Sequence, residues 1–470
     1  MRSDRIIPLI IAVALFMENM DATVISTSLP AIAADIGTNP LALKLAITTY
    51  LLSLAVFIPA SGWTADRFGA RTVFGAAIAV FILGSIGCAL SSSLPGFVIA
   101  RIVQGMGGAM MTPVGRVVLV RTIAKRDLVG AMAWVTTPAL IGPVLGPPVG
   151  GFITTYATWH WIFIINVPIG LVGIALALRF VPELRAERHE RFDVFGMALA
   201  GLGIAGVAFG FSILGLNFLP WIVVAALIVG GAGFLAAYLV HARHTDNPAL
   251  DLSLFRLPTF FASVVGGSIF RLGIGALPFL LPLMLQIGFG MTPFQSGMIT
   301  FASAFGSMGM KWATATILRR FGFRTVLVIN SLTSAASLAV CAGFTATTPV
   351  LVMVLLLFVG GFFRSLHFTS VNTMAYADVE PARISRATSL VSVAQQLAMS
   401  FGVALGAMAV ELTVHLKGGG ALQAADFRPA ILAVALISGL SVLIFLRLSP
   451  EAGAEMTARA PSPASERPTG

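Results

Sequence analysis

Gly62-Trp63-Thr64-Ala65-Asp66-Arg67-Phe68-Gly69-Ala70-Arg71 is a short basic turn set between two apolar runs. Arg319-Arg320-Phe321-Gly322-Phe323-Arg324 repeats its Phe-Gly core in the second half of the chain. Each turn follows the second apolar run of a six-run block. Two related blocks in one chain suggest alternating access around a central site. Gly62 and Gly69 permit a tight turn and a close approach of helices. Asp66 can accept hydrogen bonds from another helix's N-terminus, or pair with Arg67 or Arg71. Such a cluster can latch one face of the molecule shut. The plain alternative is a solvated loop that only sets topology.

Outward from these turns, the chain divides into fourteen apolar runs of roughly the 17–25 residues that cross a bilayer as a helix. They cover 6–28, 44–61, 72–91, 96–120, 130–152, 161–180, 194–216, 219–241, 260–283, 295–316, 324–344, 349–372, 387–412 and 429–448. Of 470 residues, 57% are hydrophobic and 10% charged. Soluble proteins carry roughly 25% charged residues. A chain this apolar needs lipid as its solvent, so the expected fold class is an all-α membrane protein. The expected organisation is a six-helix bundle in 1–180, a linker with an extra helix pair in 181–258, a second six-helix bundle in 259–448, and a disordered tail in 449–470.

Charge orients the chain. With a cytoplasmic N-terminus, 21 of the 29 Lys and Arg fall at cytoplasmic ends and loops. Arg2, Arg67, Arg71, Arg121, Lys125, Arg126, Arg188, Arg191, Arg319, Arg320, Arg383, Arg459 and Arg467 are among them. Lys44, Lys417 and Arg428 are the outer ones. This is the positive-inside pattern, and it predicts a multi-pass membrane protein with both termini cytoplasmic. The net charge of +10 is spread singly instead of gathered in a patch, which argues against nucleic acid. The N-terminal run is too long and too acidic for a cleavable signal. No metal, phosphate or nucleophile motif is found, so neither an enzyme nor an ATP-driven pump is expected, and no cofactor. Cys88 and Cys341 sit in apolar runs and read as buried thiols.

Two acids break the first run. A carboxylate at mid-membrane costs about 2.5–3.5 kcal/mol even on the lenient insertion scale. Glu18 and Asp21 are three apart and share a helical face. They read as the only acids well inside a span, and groups so placed can load and release protons. Alternatively they are structural acids tied to a cation. Arg101, within the fourth run, can adjust the charge state of Asp21, with Gln104 one turn on, or it snorkels to the headgroups. Gly142, Gly146 and Gly150 recur every four residues and form a flat face for another helix. Pro138, Pro143 and Pro147 bend that helix. A kinked, flat-faced helix between the halves can hinge or seal, or simply be kinked.

These stretches resemble the motifs of the major facilitator superfamily. Gly62 to Arg71 is similar to its motif A, with Ala70 in place of a usual basic residue. Arg101-Ile102-Val103-Gln104-Gly105-Met106-Gly107-Gly108 resembles motif B. Gly142-Pro143-Val144-Leu145-Gly146-Pro147-Pro148-Val149-Gly150-Gly151 resembles motif C of antiporters. Met20-Asp21-Ala22-Thr23-Val24-Ile25-Ser26-Thr27-Ser28-Leu29-Pro30 and Trp159-His160-Trp161-Ile162-Phe163-Ile164-Ile165-Asn166-Val167-Pro168-Ile169-Gly170 resemble its drug:proton antiporter branch with fourteen spans. The resemblance covers nearly the whole chain. It implies two six-helix bundles with two extra central helices in a bacterial inner membrane, proton-coupled export, and a part for Asp21 and Arg101 in proton transfer. Relatives usually carry an amide where this chain has Glu18.

The second half departs from the first in sign. Arg271, Lys311 and Arg364 lie within its runs, with His367 one turn past Arg364, and no acid lies in runs nine to twelve. Cations without acids would attract an anionic substrate. Tyr50, Trp134, Gln286 and Gln395, with Gln396, Thr369 and Asn372, complete the candidate cavity, although buried amides also bridge helices and aromatics also pack. The expected partners are protons, membrane lipid and a small-molecule substrate, a drug or small organic compound, with an anionic metabolite or its metal chelate as the alternative. One chain holds both halves and can work as a monomer.

Overall fold

The structure is a computed structural model describing residues 3–124, 127–185, 192–216 and 219–457. Arg2, Lys125, Arg126, Arg188, Arg191, Arg459 and Arg467 lie outside the described residues. Among the described residues there are twelve helices long and apolar enough to cross a membrane. In chain order they are α1 (Ile6–Thr27), α2 (Pro40–Phe68), α3 (Ala70–Ala89), α4 (Leu94–Thr122), α6 (Trp161–Phe180), α7 (Val194–Ile213), α8 (Trp221–Arg243), α9 (Pro258–Gly288), α11 (Phe323–Cys341), α12 (Val350–Met374), α13 (Ile384–Leu416) and α14 (Ala424–Phe445). Two further long helices, α5 (Leu128–Tyr156) and α10 (Pro293–Phe321), have 29 residues each. At 1.5 Å per residue these are about 43 Å long, ample for a bilayer. Their hydropathy is diluted, in α5 by Pro138, Pro143, Pro147 and Pro148, and in α10 by glycines, serines and Lys311.

Local chemistry sets the boundaries. Ser93 caps α4, with Pro95 in its first turn. Thr292 and Gln295 form a capping box ahead of α10, with Pro293 at its first position; Pro suits that place because its missing N–H would have no partner there anyway. The two basic turns end their helices in the same way. Gly69 has φ +95° and Gly322 has φ +76°, a region open to glycine and strained for other residues. The repeat seen in the sequence is therefore a repeat of backbone shape.

The first six and last six helices each form a bundle, and α7–α8 stand beside α2 and α13. The bundles meet toward the arginine-poor end. There Gln286 Nε2 donates to the Thr27 carbonyl at 2.9 Å, Phe294 N to Thr155 Oγ1 at 3.0 Å, and Ser400 Oγ to the Thr48 carbonyl at 3.3 Å.

Three features differ from the sequence expectation. The ninth span contains π-helical turns at Ala262–Gly266 and Met284–Gly288, either side of Arg271. Such turns are frequent at functional sites. Lys44, expected among the outer charges at the start of the second run, is fully buried and paired with Glu411 inside α13. Glu411 lies in the last two turns of α13, so it is an acid within a span but near its end. Finally, the tail is not wholly unstructured: Ala454–Thr457 form a short 3-10 turn against α10.

Candidate functional site

Asp21 sits on α1 with no solvent exposure. Its carboxylate accepts from three side chains. Arg101 Nη1 donates to Oδ2 at 2.7 Å, and Gln104 Nε2 and Asn166 Nδ2 donate to Oδ1 at 2.9 and 2.8 Å. Arg101 and Gln104 are one turn apart on α4, so one helix face presents both. Ser85 of α3 accepts from Gln104 at 2.8 Å and from Asn166 at 3.2 Å. Arg101 Nε donates to the Ala46 carbonyl of α2 at 2.9 Å, and its guanidinium lies 4.2 Å from the centre of the Tyr50 ring. Five helices are therefore joined in one network around this carboxylate, α4 and α6 directly and α2 and α3 through the side chains of those two. A buried carboxylate matched by an ionised donor and two amides is tolerable; without Arg101 it would be an uncompensated buried charge.

Glu18 lies one turn nearer the arginine-rich end. It is half-buried and accepts from Thr112 Oγ1 of α4 at 2.9 Å. No described cation lies within salt-bridge distance of it. The two acids are thus held very differently, one in an ion pair and one by a hydroxyl. Asn166 and Ser85 were not singled out from the sequence. The visible signal was an amide at the start of an apolar run, Asn166, inside a stretch quoted for another reason.

At the basic turn, Asp66 pairs with Arg121 of α4 at 2.7 Å, not with Arg67 or Arg71 and not with a helix N-terminus. Gly69 breaks the helix between Asp66 and Arg71, so the two point to different neighbours. Arg71 lies 3.4 Å from Glu183, beyond α6, and Thr72 donates to Glu183 at 2.7 Å. Arg67 stays near the Trp63 ring, at 6.0 Å.

The glycine stripe of α5 faces α1, within its own bundle, and not the other half. A Cβ at Gly146 would lie 2.0 Å from Thr23 Oγ1, and one at Gly142 2.9 Å from the Phe16 carbonyl. The adjacent side of the helix, at Pro147 and Gly151, is the one that meets α10. At 3.6 residues per turn, glycines spaced by four stay on one side of the helix, so the stripe rests on one neighbour and leaves another side for the second bundle.

The second-half candidates do not form one cluster. Arg271, 5% exposed, donates to Asn372 Oδ1 at 2.8 Å, and Gln395 donates to the same oxygen at 3.0 Å. No carboxylate joins them among the described residues. Arg364 turns away from them toward Ser337 and Cys341 of α11. Lys311 borders a cleft of about 500 Å³ at the arginine-rich end, with Thr314, Arg319, Thr369 and Glu455. Gln286 is occupied in the contact between bundles. Tyr50 is buried under Arg101, and Trp134 is 67% exposed on the surface of α5.

The sequence profile of the Major Facilitator Superfamily matches residues 11–241 and 263–469. The chain belongs to the major facilitator superfamily. Its members are transporters, not enzymes. Among its relatives, MdtD of Salmonella heidelberg, provisionally named a multidrug resistance protein, is 38% identical over 93% of this chain and 94% of its own length. MdtD of Salmonella typhimurium is equally similar, with the same coverage. Solved facilitator structures share the fold at low identity. A D-xylose–proton symporter superposes with a TM-score of 0.67 at 17% identity, over 95% of this chain and 98% of its own. A POT family transporter gives 0.69 at 14% identity, over 95% and 96%. A bacterial homologue of the lysosomal transporter Spinster, solved inward-facing, gives 0.65 at 14% identity, over 98% and 99%.

Proposed function

We propose that this facilitator is a proton-driven exporter of drugs or small organic compounds, working by alternating access in a bacterial inner membrane. The observation that carries the reading is the Asp21 carboxylate held by Arg101, Gln104 and Asn166 in a network that joins five helices. A proton on Asp21 removes the charge that opposes Arg101. Arg101 also holds the Ala46 carbonyl, so its release loosens α1 and α4 from α2. Chemistry at one oxygen thereby biases the packing of a whole bundle. Glu18 stands between Asp21 and the arginine-rich end and serves as the next proton station. The arginine-rich end is the cytoplasmic one, by the positive-inside rule. The Asp66–Arg121 and Arg71–Glu183 pairs then brace the cytoplasmic gate turn, and both termini lie on that side. The bundles meet toward the outer side, which makes this arrangement inward-facing.

The test is substrate movement in proteoliposomes under an imposed pH gradient, with a panel of cationic, neutral and anionic compounds. Gradient-driven movement is expected to vanish in Asp21→Asn. Undiminished movement in that variant would refute the coupling assignment.

Arg271 favours a second reading of the cargo. It is buried, its one hydrogen-bond partner among the described residues is the amide oxygen of Asn372, and no described carboxylate faces it, so an anionic metabolite would supply its missing counter-charge. Arg271→Ala is then expected to abolish transport of the anionic compounds and spare the cationic ones. Equal loss of both would remove this reading.

A further inference from the structure

Lys44 stands at the start of α2, on the end where the two bundles meet, and it is fully buried. Its ammonium has three partners. The two oxygens of Glu411, on α13, lie at 3.0 and 3.2 Å. The third is the backbone carbonyl of Leu214, at 3.2 Å, in the turn just beyond α7. The ammonium has three protons to give, and these acceptors can take all of them. One side chain thus joins three pieces of the molecule: the first bundle, the second bundle and the extra helix pair. Neither Lys44 nor Glu411 takes part in the Asp21 cage, and both stand at the opposite end from the basic turns.

The turn that brings in the third partner is specific. Gly215 has φ +83°, and a Cβ there would lie 2.4 Å from Glu411 Oε2. A side chain at this position is excluded by backbone strain and by the carboxylate together. Deeper in the molecule, one turn along α2 from Lys44 and about three turns along α13 from Glu411, Ser400 donates to the Thr48 carbonyl, so the same pair of helices is tied a second time below the ion pair.

We propose that Lys44 and Glu411 form the outer latch of this transporter, and that the α7–α8 pair serves to complete it. Opening to the outside requires α2 and α13 to part at this end. That separation breaks a buried ion pair, and breaking one partner from another in such surroundings is far costlier than breaking a surface pair. The Leu214 carbonyl adds an acceptor that keeps the ammonium satisfied without a second acid. The extra helices, which belong to neither bundle, thereby set how firmly the outer side is held. The proposal rests on the alternating-access reading, but not on its proton coupling or its cargo.

The test uses the full-length chain with Thr48→Cys, a buried position under the latch, and with the buried Cys88 and Cys341 replaced by Ser. A membrane-impermeant maleimide is applied to intact cells and, separately, to inside-out vesicles. Lys44→Ala and Glu411→Gln are each expected to raise the labelling rate in cells by about tenfold, the equivalent of roughly 1.4 kcal/mol in the closed-to-open ratio. The swapped pair Lys44→Glu with Glu411→Lys is expected to return toward the parent rate. This readout separates a latch from a merely structural contact, and it stands if one single variant folds poorly. Gly215→Val is expected to raise labelling as well. Labelling within twofold of the parent in both single variants would overturn the latch. An unchanged rate in Gly215→Val would overturn the part assigned to α7–α8. A rise seen only in inside-out vesicles would uphold the latch and overturn the assignment of sides. None of these arms needs a substrate or a proton gradient, so they stay distinct from the failure of proton-driven export.

Discussion

An ionised carboxyl with no access to water must be matched by donors, and Asp21 draws its donors from α4 and α6 alone. Arg101→Ala would leave that charge unpaired, a change expected to cost about 3–5 kcal/mol. Thermal unfolding of the purified protein checks it. The double variant Arg101→Ala with Asp21→Asn is expected to regain much of that loss, because no buried charge remains; equal loss in the double variant would contradict the pairing. Glu18→Gln is expected to leave the fold intact, since an amide can still accept from Thr112, and to slow gradient-driven transport without abolishing it. Asp21, Arg101 and Gln104 were legible in the sequence because polar groups stand out in apolar runs. Asn166 and Ser85 were not, because one amide and one hydroxyl among many become partners only once α3 and α6 are packed.

At the scale of the element, α5 is built for contact on two faces. Gly146→Val is expected to force α1 away from α5 and to destabilise the protein by about 1–3 kcal/mol, the usual range for overpacking. The same substitution combined with Thr23→Ala should recover part of it. An unchanged melting temperature in the single variant would show that α1 yields freely. The stripe itself was readable from its four-residue spacing. Its partner was not, since periodicity says that a face is flat and not what lies against it. The segment before α9 carries a second element-scale prediction. Asp251 accepts from Ser253 and from Arg383 at 2.7 Å, tying this segment to the approach to α13. Burial alone would raise its carboxyl, but the bonds from Ser253 and Arg383 outweigh it and hold the group below its ordinary value of 3.8. A depressed carboxyl contributes stability that is present above the ordinary value and lost as pH falls through the lowered one. Melting temperature is therefore expected to fall more steeply below about pH 4 in the parent than in Asp251→Asn. Parallel profiles for the two would rule out this contribution.

At the scale of the whole molecule, the bundles are fastened at one end by a few polar contacts, Gln286 to Thr27 and Phe294 to Thr155 among them. Gln286→Ala leaves the Thr27 carbonyl without this donor and is expected to shift the population toward the outward-open form by a few-fold, for a loss of about 1 kcal/mol. Distance measurements between spin labels on the outer ends of α5 and α10 would report it. An unaltered distance distribution would mean that this bond carries no share of the closure. The fold at this scale was largely legible. Fourteen runs and two matching basic turns implied two bundles and an extra pair, and the structure has them. The ninth span was the exception, because its π turns at Ala262–Gly266 and Met284–Gly288 change the backbone ladder and not the apolar pattern.

The sequence by itself determined that the chain crosses a membrane many times, that it is built from two related bundles, and that a carboxyl on the first helix lies in an apolar setting. These follow from composition, run length and local turn chemistry, which each stretch of chain carries alone. The tertiary structure decided who meets whom. Asp66 reaches Arg121, Arg71 reaches Glu183, the glycine stripe rests on α1, and Lys44, which reads as an outer charge at the start of the second run, is buried against Glu411. Those pairings join residues far apart in the chain, and their energies exist only after the helices have packed and excluded water and lipid from between them.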